Sequence, residues 1–324
     1  MAVPAAAATP PRLPLVDVAR GVAIVAMVAF HFAFDLSQAG LIATDVANHP
    51  GWRLFAGAIG GSFLTLVGVS LVLAARDGLD RAAFLRRLAM VAGGAALVSA
   101  ATLVVMPQAW IFFGILHLIA VASVLGLLVL HWPAGLLAVA AAAAFALPWL
   151  VAHPALDRPW LLFTGLSRAG VTTADFYPVL PWFGFVLAGM AAARFAVGRG
   201  LDRRLAGLPA KGRLAQALGG AGRHSLLIYL VHQPVLIACV WILAQAFPAA
   251  PRPAVDADAR PFLATCTQSC MQAGKPADLC RFACACVVDG LKRESIWPRV
   301  LADQLTAADR DRTAALARTC HGGD

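Results

Sequence analysis

Residues 15–35 read LVDVARGVAIVAMVAFHFAFD. The run is apolar enough to span a bilayer, for which about 20 residues suffice, yet it carries Asp17, Arg20, His31 and Asp35. Ionisable groups at membrane depth cost roughly 2.5 kcal/mol or more each, so they mark a functional site by default. At about 100° per residue, Arg20 and His31 differ by only about 20° after three turns, and Asp17 and Asp35 fall on the same stripe. All four therefore face one side, the interior of a helix bundle. Asp35 lies one turn beyond His31, where a carboxylate would hold the imidazole in one tautomer. The plainer reading of such a stripe is a polar seam that glues helices together.

The rest of the chain agrees with a membrane body. It is 60% hydrophobic and 13% charged, with a mean hydropathy of +0.76, far from the composition of a soluble domain. Seven apolar runs near 14–36, 54–75, 88–106, 111–131, 134–152, 178–197 and 224–247 are long enough to cross a bilayer. The expected fold is all-α: a polytopic bundle over residues 1–247, a Pro-rich linker over 248–260 and a small disulfide-rich helical domain over 261–324. No cleavable leader is evident. Arg76, Arg81, Arg86 and Arg87 crowd one connection, and Arg194, Arg199, Arg203, Arg204, Lys211, Arg213 and Arg223 crowd another. The positive-inside rule then places the N-terminus in the cytoplasm and, after seven crossings, the C-terminus outside. The net charge of +9 is thus a topology signal; no aromatic–basic motif calls for a nucleic acid.

Cysteine placement gives the same orientation independently. Cys239 lies in the last apolar run, while Cys266, Cys270, Cys280, Cys284, Cys286 and Cys320 all sit in the tail. An even set in so short a stretch reads as a disulfide framework in an oxidising compartment. Two C-x3-C pairs suit an antiparallel helical hairpin turning at Gly274–Ala277, since cysteines four apart share a helix face. In such a hairpin Cys266 would meet Cys284 and Cys270 would meet Cys280, leaving Cys286 for Cys320; the other pairings among six cysteines stay open. The spacing resembles that of twin-CX3C helical hairpins. A zinc site using these thiols with His321 is the rival reading, disfavoured by the compartment. No C-x-x-C redox motif is present.

Several stretches carry a family resemblance. They are Asp17-Val-Ala-Arg-Gly21 through His31, FHFAFDLS at 30–37, GSFLTLVGVSL at 61–71, FGILHLIA at 113–120, PWFGFVLAG at 181–189 and GRHSLLIYLVHQP at 222–234. In order and spacing they resemble the heparan-alpha-glucosaminide N-acetyltransferase-like group of bacterial membrane proteins, within the transmembrane acyltransferases. The resemblance implies transfer of an acyl group, commonly acetyl from acetyl-CoA on the cytoplasmic side, to a sugar-like acceptor outside. It also implies a multi-pass protein of the bacterial inner membrane that binds no permanent cofactor. In lysosomal relatives a loop histidine followed after two residues by tryptophan is catalytic, and His49-Pro-Gly-Trp52 matches that spacing. The acidic, proline-rich turn that ordinarily precedes the second helix is replaced here by FAGAIGG at 55–61.

Two histidines therefore compete for the chemistry. Histidine's pKa near 6.5 suits a general base toward a hydroxyl or amine, and its imidazole can also carry an acyl group in a two-step transfer. His31, oriented by Asp35, is preferred; His49 is the alternative. Arg20 is placed to meet the phosphates of a CoA-type donor, with Asp17 as its plainer partner. His117, Asp175 and Trp182, together with Ser225, Tyr229 and His232 on one stripe of the last helix, are candidate lining of the acceptor cavity. Trp182 and the other tryptophans serve equally as interface anchors, and Pro234 is expected to kink its helix. Gly60-Gly61 and Gly93-Gly94 read as close helix packing. A proton-coupled transporter or flippase, and a membrane anchor for an envelope-interacting tail, are the competing functions. A second copy of the chain, as a homodimer, and a partner for the tail are left open.

Overall fold

The structure, a computed structural model, describes residues 13–42, 44–47, 49–168, 171–206, 211–247 and 259–320. Most of the Pro-rich linker, and His321, lie outside them. The chain divides into two compact units, residues 1–248 and 249–324.

Among the described residues the first unit has nine α-helices: α1 (Pro14–Gln38), α2 (Pro50–Ala75), α3 (Arg81–Val105), α4 (Ile115–Leu128), α5 (Ala134–Val151), α6 (Val179–Gly198), α7 (Leu201–Ala206), α8 (Arg213–Arg223) and α9 (Ser225–Ala246). Six of them, α1, α2, α3, α5, α6 and α9, are long and apolar enough to cross a membrane, as fits a multi-pass membrane protein. The helix starts follow from local chemistry. Pro14 and Pro50 occupy first-turn positions where a missing N–H costs nothing. Asp80 caps α3 by accepting from the Ala83 N–H at 3.0 Å.

The fourth apolar run departs from expectation. Only Ile115–Leu128 is helical, about 21 Å at 1.5 Å per residue, short of the roughly 30 Å hydrocarbon core. Gly114 is extended, and its segment is tied to the loop before α6, where the Tyr177 N–H donates to the Phe113 carbonyl at 3.1 Å. Helix α8, in the basic connection, has no counterpart among the expected elements.

The core lies between α2, α4, α5 and α6, built on Leu64, Leu71, Leu118, Leu137, Val186 and Met190. Contact between α2 and α6 is backbone to backbone: a Cβ on Gly68 would strike the Val186 carbonyl, and one on Gly189 the Thr65 carbonyl. Helices α1 and α8 meet in the same way at Gly21 and Gly222. Small residues are the device by which membrane helices approach closely. The expected role for Gly93 is not found, since nothing lies within 4 Å of where its Cβ would be. Gly60 and Gly61 do face close neighbours, the rings of Tyr177 and Phe185.

The second unit comprises α10 (Ala259–Gln272), α11 (Ala277–Arg293), α12 (Trp297–Leu301) and α13 (Ala307–Cys320). Its disulfides join Cys266–Cys284, Cys270–Cys280 and Cys286–Cys320. The first two staple α10 to α11 on either side of a turn in which Gly274 has φ +81°. The third ties α13 to α11. All six tail cysteines are thereby oxidised, so the zinc reading is set aside: it needs thiolates. Ala259, Val287, Leu291, Ile296 and Trp297 form the apolar centre. Arg299 grips the Asp309 carboxylate in a two-bond fork at 2.9 and 2.7 Å.

Candidate active site

Helices α1 and α9 bring four polar side chains together. The rings of His31 and His232 lie 4.9 Å apart, and the Gln233 amide donates to both oxygens of Asp35, at 2.9 and 3.1 Å. Asp35 is buried. Asp35 is thus held from α9, and the expected contact between its carboxylate and His31 gives way to Gln233. A neutral amide accounts for it: Gln233 satisfies the carboxylate without the further cost of burying a cation beside it.

The two ring nitrogens of His232 differ. Nδ1 lies 2.6 Å from the Tyr229 carbonyl, and a carbonyl only accepts, so Nδ1 carries the proton and Nε2 is a bare lone pair. Among the described residues, His232 Nε2 and Gln233 Oε1 are buried with no hydrogen-bond partner. Two adjacent acceptors therefore lack a donor.

His117 is built differently. Its Nδ1 accepts from the Gly114 N–H at 3.2 Å, and its Nε2 lies 3.1 Å from Ser99 Oγ, which itself donates to the Ile111 carbonyl at 2.5 Å. Both ring nitrogens are thus engaged, at the start of α4 and on Ser99 of α3.

Asp175 acts on the same helix end. Its Oδ2 accepts from the Ile115 N–H at 3.0 Å, and a Cβ on Gly114 would strike that oxygen. Burial pushes the Asp175 carboxyl up to about 6, partly opposed by the Ile115 bond. Burial and then the Asp175 charge drive the Tyr177 phenol above its ordinary range. The Asp175 charge also reaches Tyr229 on α9, whose ring lies 5.7 Å from that of His232. Tyr229, His232 and His31 form a line of ring contacts from α9 to α1, with Asp175 and Tyr177 within electrostatic range of its Tyr229 end. Trp182 packs 4.6 Å from the Tyr177 ring and 5.7 Å from Phe185. Ser225, at the start of α9, lies about 10 Å along the axis from His232 and does not join this line.

His49 caps α2, its Nδ1 accepting from the Gly51 N–H at 3.2 Å, and it borders a shallow depression with Trp52 and Phe55. Trp52 contacts Phe30, which makes an edge contact with His31.

Arg20 occupies the other end of α1, about 16 Å from His31 along the axis. It pairs with Asp17 at 3.0 Å and donates to Ser70 Oγ of α2. Arg87 of α3 lies within electrostatic range of it. Sequence reasoning counted Arg87 only as a topology charge and gave no role to Gln233, which lies inside the motif at 222–234, or to Tyr177, two residues after Asp175. A glutamine next to a buried histidine in an apolar helix is the signal that would have found the first.

The family model described as heparan-alpha-glucosaminide N-acetyltransferase, catalytic, matches residues 12–234. That stretch is well over half of the chain and contains every polar group just described. No curated protein and no solved structure matches the chain.

Proposed function

The chain belongs to the heparan-alpha-glucosaminide N-acetyltransferase catalytic family, and from that premise we propose that it moves an acetyl group from acetyl-CoA to an amine or hydroxyl of a saccharide acceptor across a bacterial inner membrane. The family match over residues 12–234 carries this reading. With α4 and the apolar residues flanking it, 111–131, taken as a seventh crossing beside the six long helices, the charge bias of the connections and the disulfides of the tail support a cytoplasmic N-terminus and a periplasmic C-terminus. Arg20 then stands at the donor side, and Asp175 with Tyr177 and Tyr229 at the acceptor side.

In this mechanism Arg20, with Arg87 beside it, meets the donor's phosphates, for which guanidinium has the matching fork. The flexible pantetheine arm carries the thioester up α1 toward His31. His31 takes the proton from the acceptor as its nitrogen or oxygen attacks the acetyl carbonyl. The carbon–sulfur bond breaks, the thiolate leaves with the electron pair, and the proton ends on the CoA sulfur. Asp175 and the tyrosines bind the acceptor's polar groups. His31 is favoured over His49 because the Nδ1 lone pair of His49 is already used in capping α2.

The test is transfer by purified protein in proteoliposomes, with radiolabelled acetyl-CoA outside and glucosamine as the probe acceptor inside. Labelled N-acetylglucosamine in the lumen is the expected result. Glucosamine flux without acetylation would instead establish a transporter and overturn the proposal.

A further inference from the structure

We propose that His232 is the proton-relay partner of His31: the proton that His31 removes from the acceptor is matched by one passed from the other nitrogen of His31 to Nε2 of His232. The proposal rests on the acetyl-transfer reading and adds a second residue to its chemistry. His232 acts through His31, so it is a positioning residue and not a group that touches substrate.

Three observations carry it. First, the tautomer of His232 is fixed from behind, because its Nδ1 faces the Tyr229 carbonyl at 2.6 Å and must hold the proton. Second, its Nε2 is buried without a partner among the described residues, which is costly unless a donor is supplied at some stage of the cycle. Third, its ring stands beside that of His31, centroids 4.9 Å apart and planes tilted by 57°; Nε2 is unbonded in this arrangement, and the relay requires the His31 ring to turn an N–H onto it at about 3 Å. His117 provides the contrast within the same bundle, since both of its nitrogens are engaged and no lone pair remains. The other titratable groups near the pair are Asp35 on α1 and Tyr229 on α9, with Asp175 and Tyr177 beyond Tyr229. Asp35 supplies negative charge at the same level and is anchored by Gln233, so it balances an imidazolium on either ring.

The step balances. The acceptor N–H or O–H bond breaks as the N–C or O–C bond to the acetyl carbon forms. His31 gains one proton and gives one to His232. When the carbon–sulfur bond breaks, the transfers run in reverse and the proton goes to the thiolate, returning both rings to their starting tautomers.

The full chain, labelled with 15N-histidine and held in lipid nanodiscs, tests the pairing without turnover. The expected spectrum shows His232 protonated on Nδ1 and bare on Nε2, with a 15N–15N coupling across a hydrogen bond to His31. His31→Ala and His232→Gln assign the signals. An Nε2–H tautomer at His232, or no coupling to His31 anywhere between about pH 5 and 8, overturns the relay whether or not acetyl transfer occurs. Kinetics with acetyl-CoA and glucosamine give the second readout. His232→Gln and His232→Phe are both expected to lower kcat about 100-fold at unchanged KM. A glutamine can accept a hydrogen bond but cannot take up the proton, so near-wild-type kcat in His232→Gln would reduce the residue to a hydrogen-bond acceptor and overturn the proposal. A wild-type protein that transfers no acetyl group refutes the function itself, and the nitrogen spectra then decide the pairing alone.

Discussion

Asp175→Asn is expected to stabilise the membrane unit at neutral pH and to leave it unchanged in acid. Burial lifts the Asp175 carboxyl from 3.8 to about 6, so between those values the folded chain holds a proton that the unfolded chain has released. Where the unfolded state binds fewer protons, stability falls as pH rises. Stability is therefore lost from about pH 4 to pH 6 and stays reduced above. Some two pH units at about 1.36 kcal/mol each give a penalty of about 3 kcal/mol. Asparagine keeps a carbonyl to accept from Ile115 and carries no charge, so the variant escapes that penalty. Melting of both proteins in detergent at pH 4 and pH 7.5 measures it. At roughly 2–4 °C per kcal/mol, the variant should match wild type at pH 4 and melt at least about 5 °C higher at pH 7.5. Because Asp175 stands on the proposed acceptor side, the same variant should show a raised KM for glucosamine. Equal melting at both pH values, or a variant less stable at pH 7.5, would refute the assignment of a buried, costly carboxylate.

His117→Ala should cost about 1–3 kcal/mol, the loss of a buried hydrogen-bonded group, while kcat of the folded fraction holds; a collapse of kcat at normal stability would return His117 to the active site. Gly68→Ala should destabilise the bundle by about 1–3 kcal/mol through overlap with the Val186 carbonyl. Gly93→Ala, with nothing within 4 Å, should be neutral or stabilising, and thermal melting compares the two. Cys286→Ser opens the bridge that closes a sequence separation of 34 residues and should cost the tail about 2–4 kcal/mol, read as faster thermolysin cleavage within residues 259–320 of the full chain.

Length and apolarity made the six long helices legible, because a bilayer allows few other solutions. The disulfides found are those that the i, i+4 spacing of Cys266/Cys270 and Cys280/Cys284 suggests for a helical hairpin, although spacing alone left the other pairings open. The late start of α4 was not legible, because it is fixed by a local bond from the Gly114 N–H to His117 and a tertiary one from the Ile115 N–H to Asp175, 60 residues away. Helix α8 was hidden in a basic connection whose charges spoke for topology, while its glycines spoke for packing on α1. At the site, periodicity put His31 and Asp35 on one face of α1 but could not say what stood opposite. That partner is the His232–Gln233 pair, with Gln233 198 residues from Asp35 in sequence, and only the packing of α1 on α9 joins them. The ring states of His117 and His232 likewise depend on neighbouring backbone groups, which residue spacing does not encode.

The central claim is that His31 is the base of the transfer. Acetyl transfer from radiolabelled acetyl-CoA to glucosamine by His31→Ala and His49→Ala, each matched to wild type for expression and membrane insertion, tests it most directly. The account predicts that His31→Ala falls at least about 100-fold in kcat, while His49→Ala keeps most of the wild-type rate. An inactive His49→Ala beside a near-normal His31→Ala would place the chemistry in the loop before α2 and contradict the account.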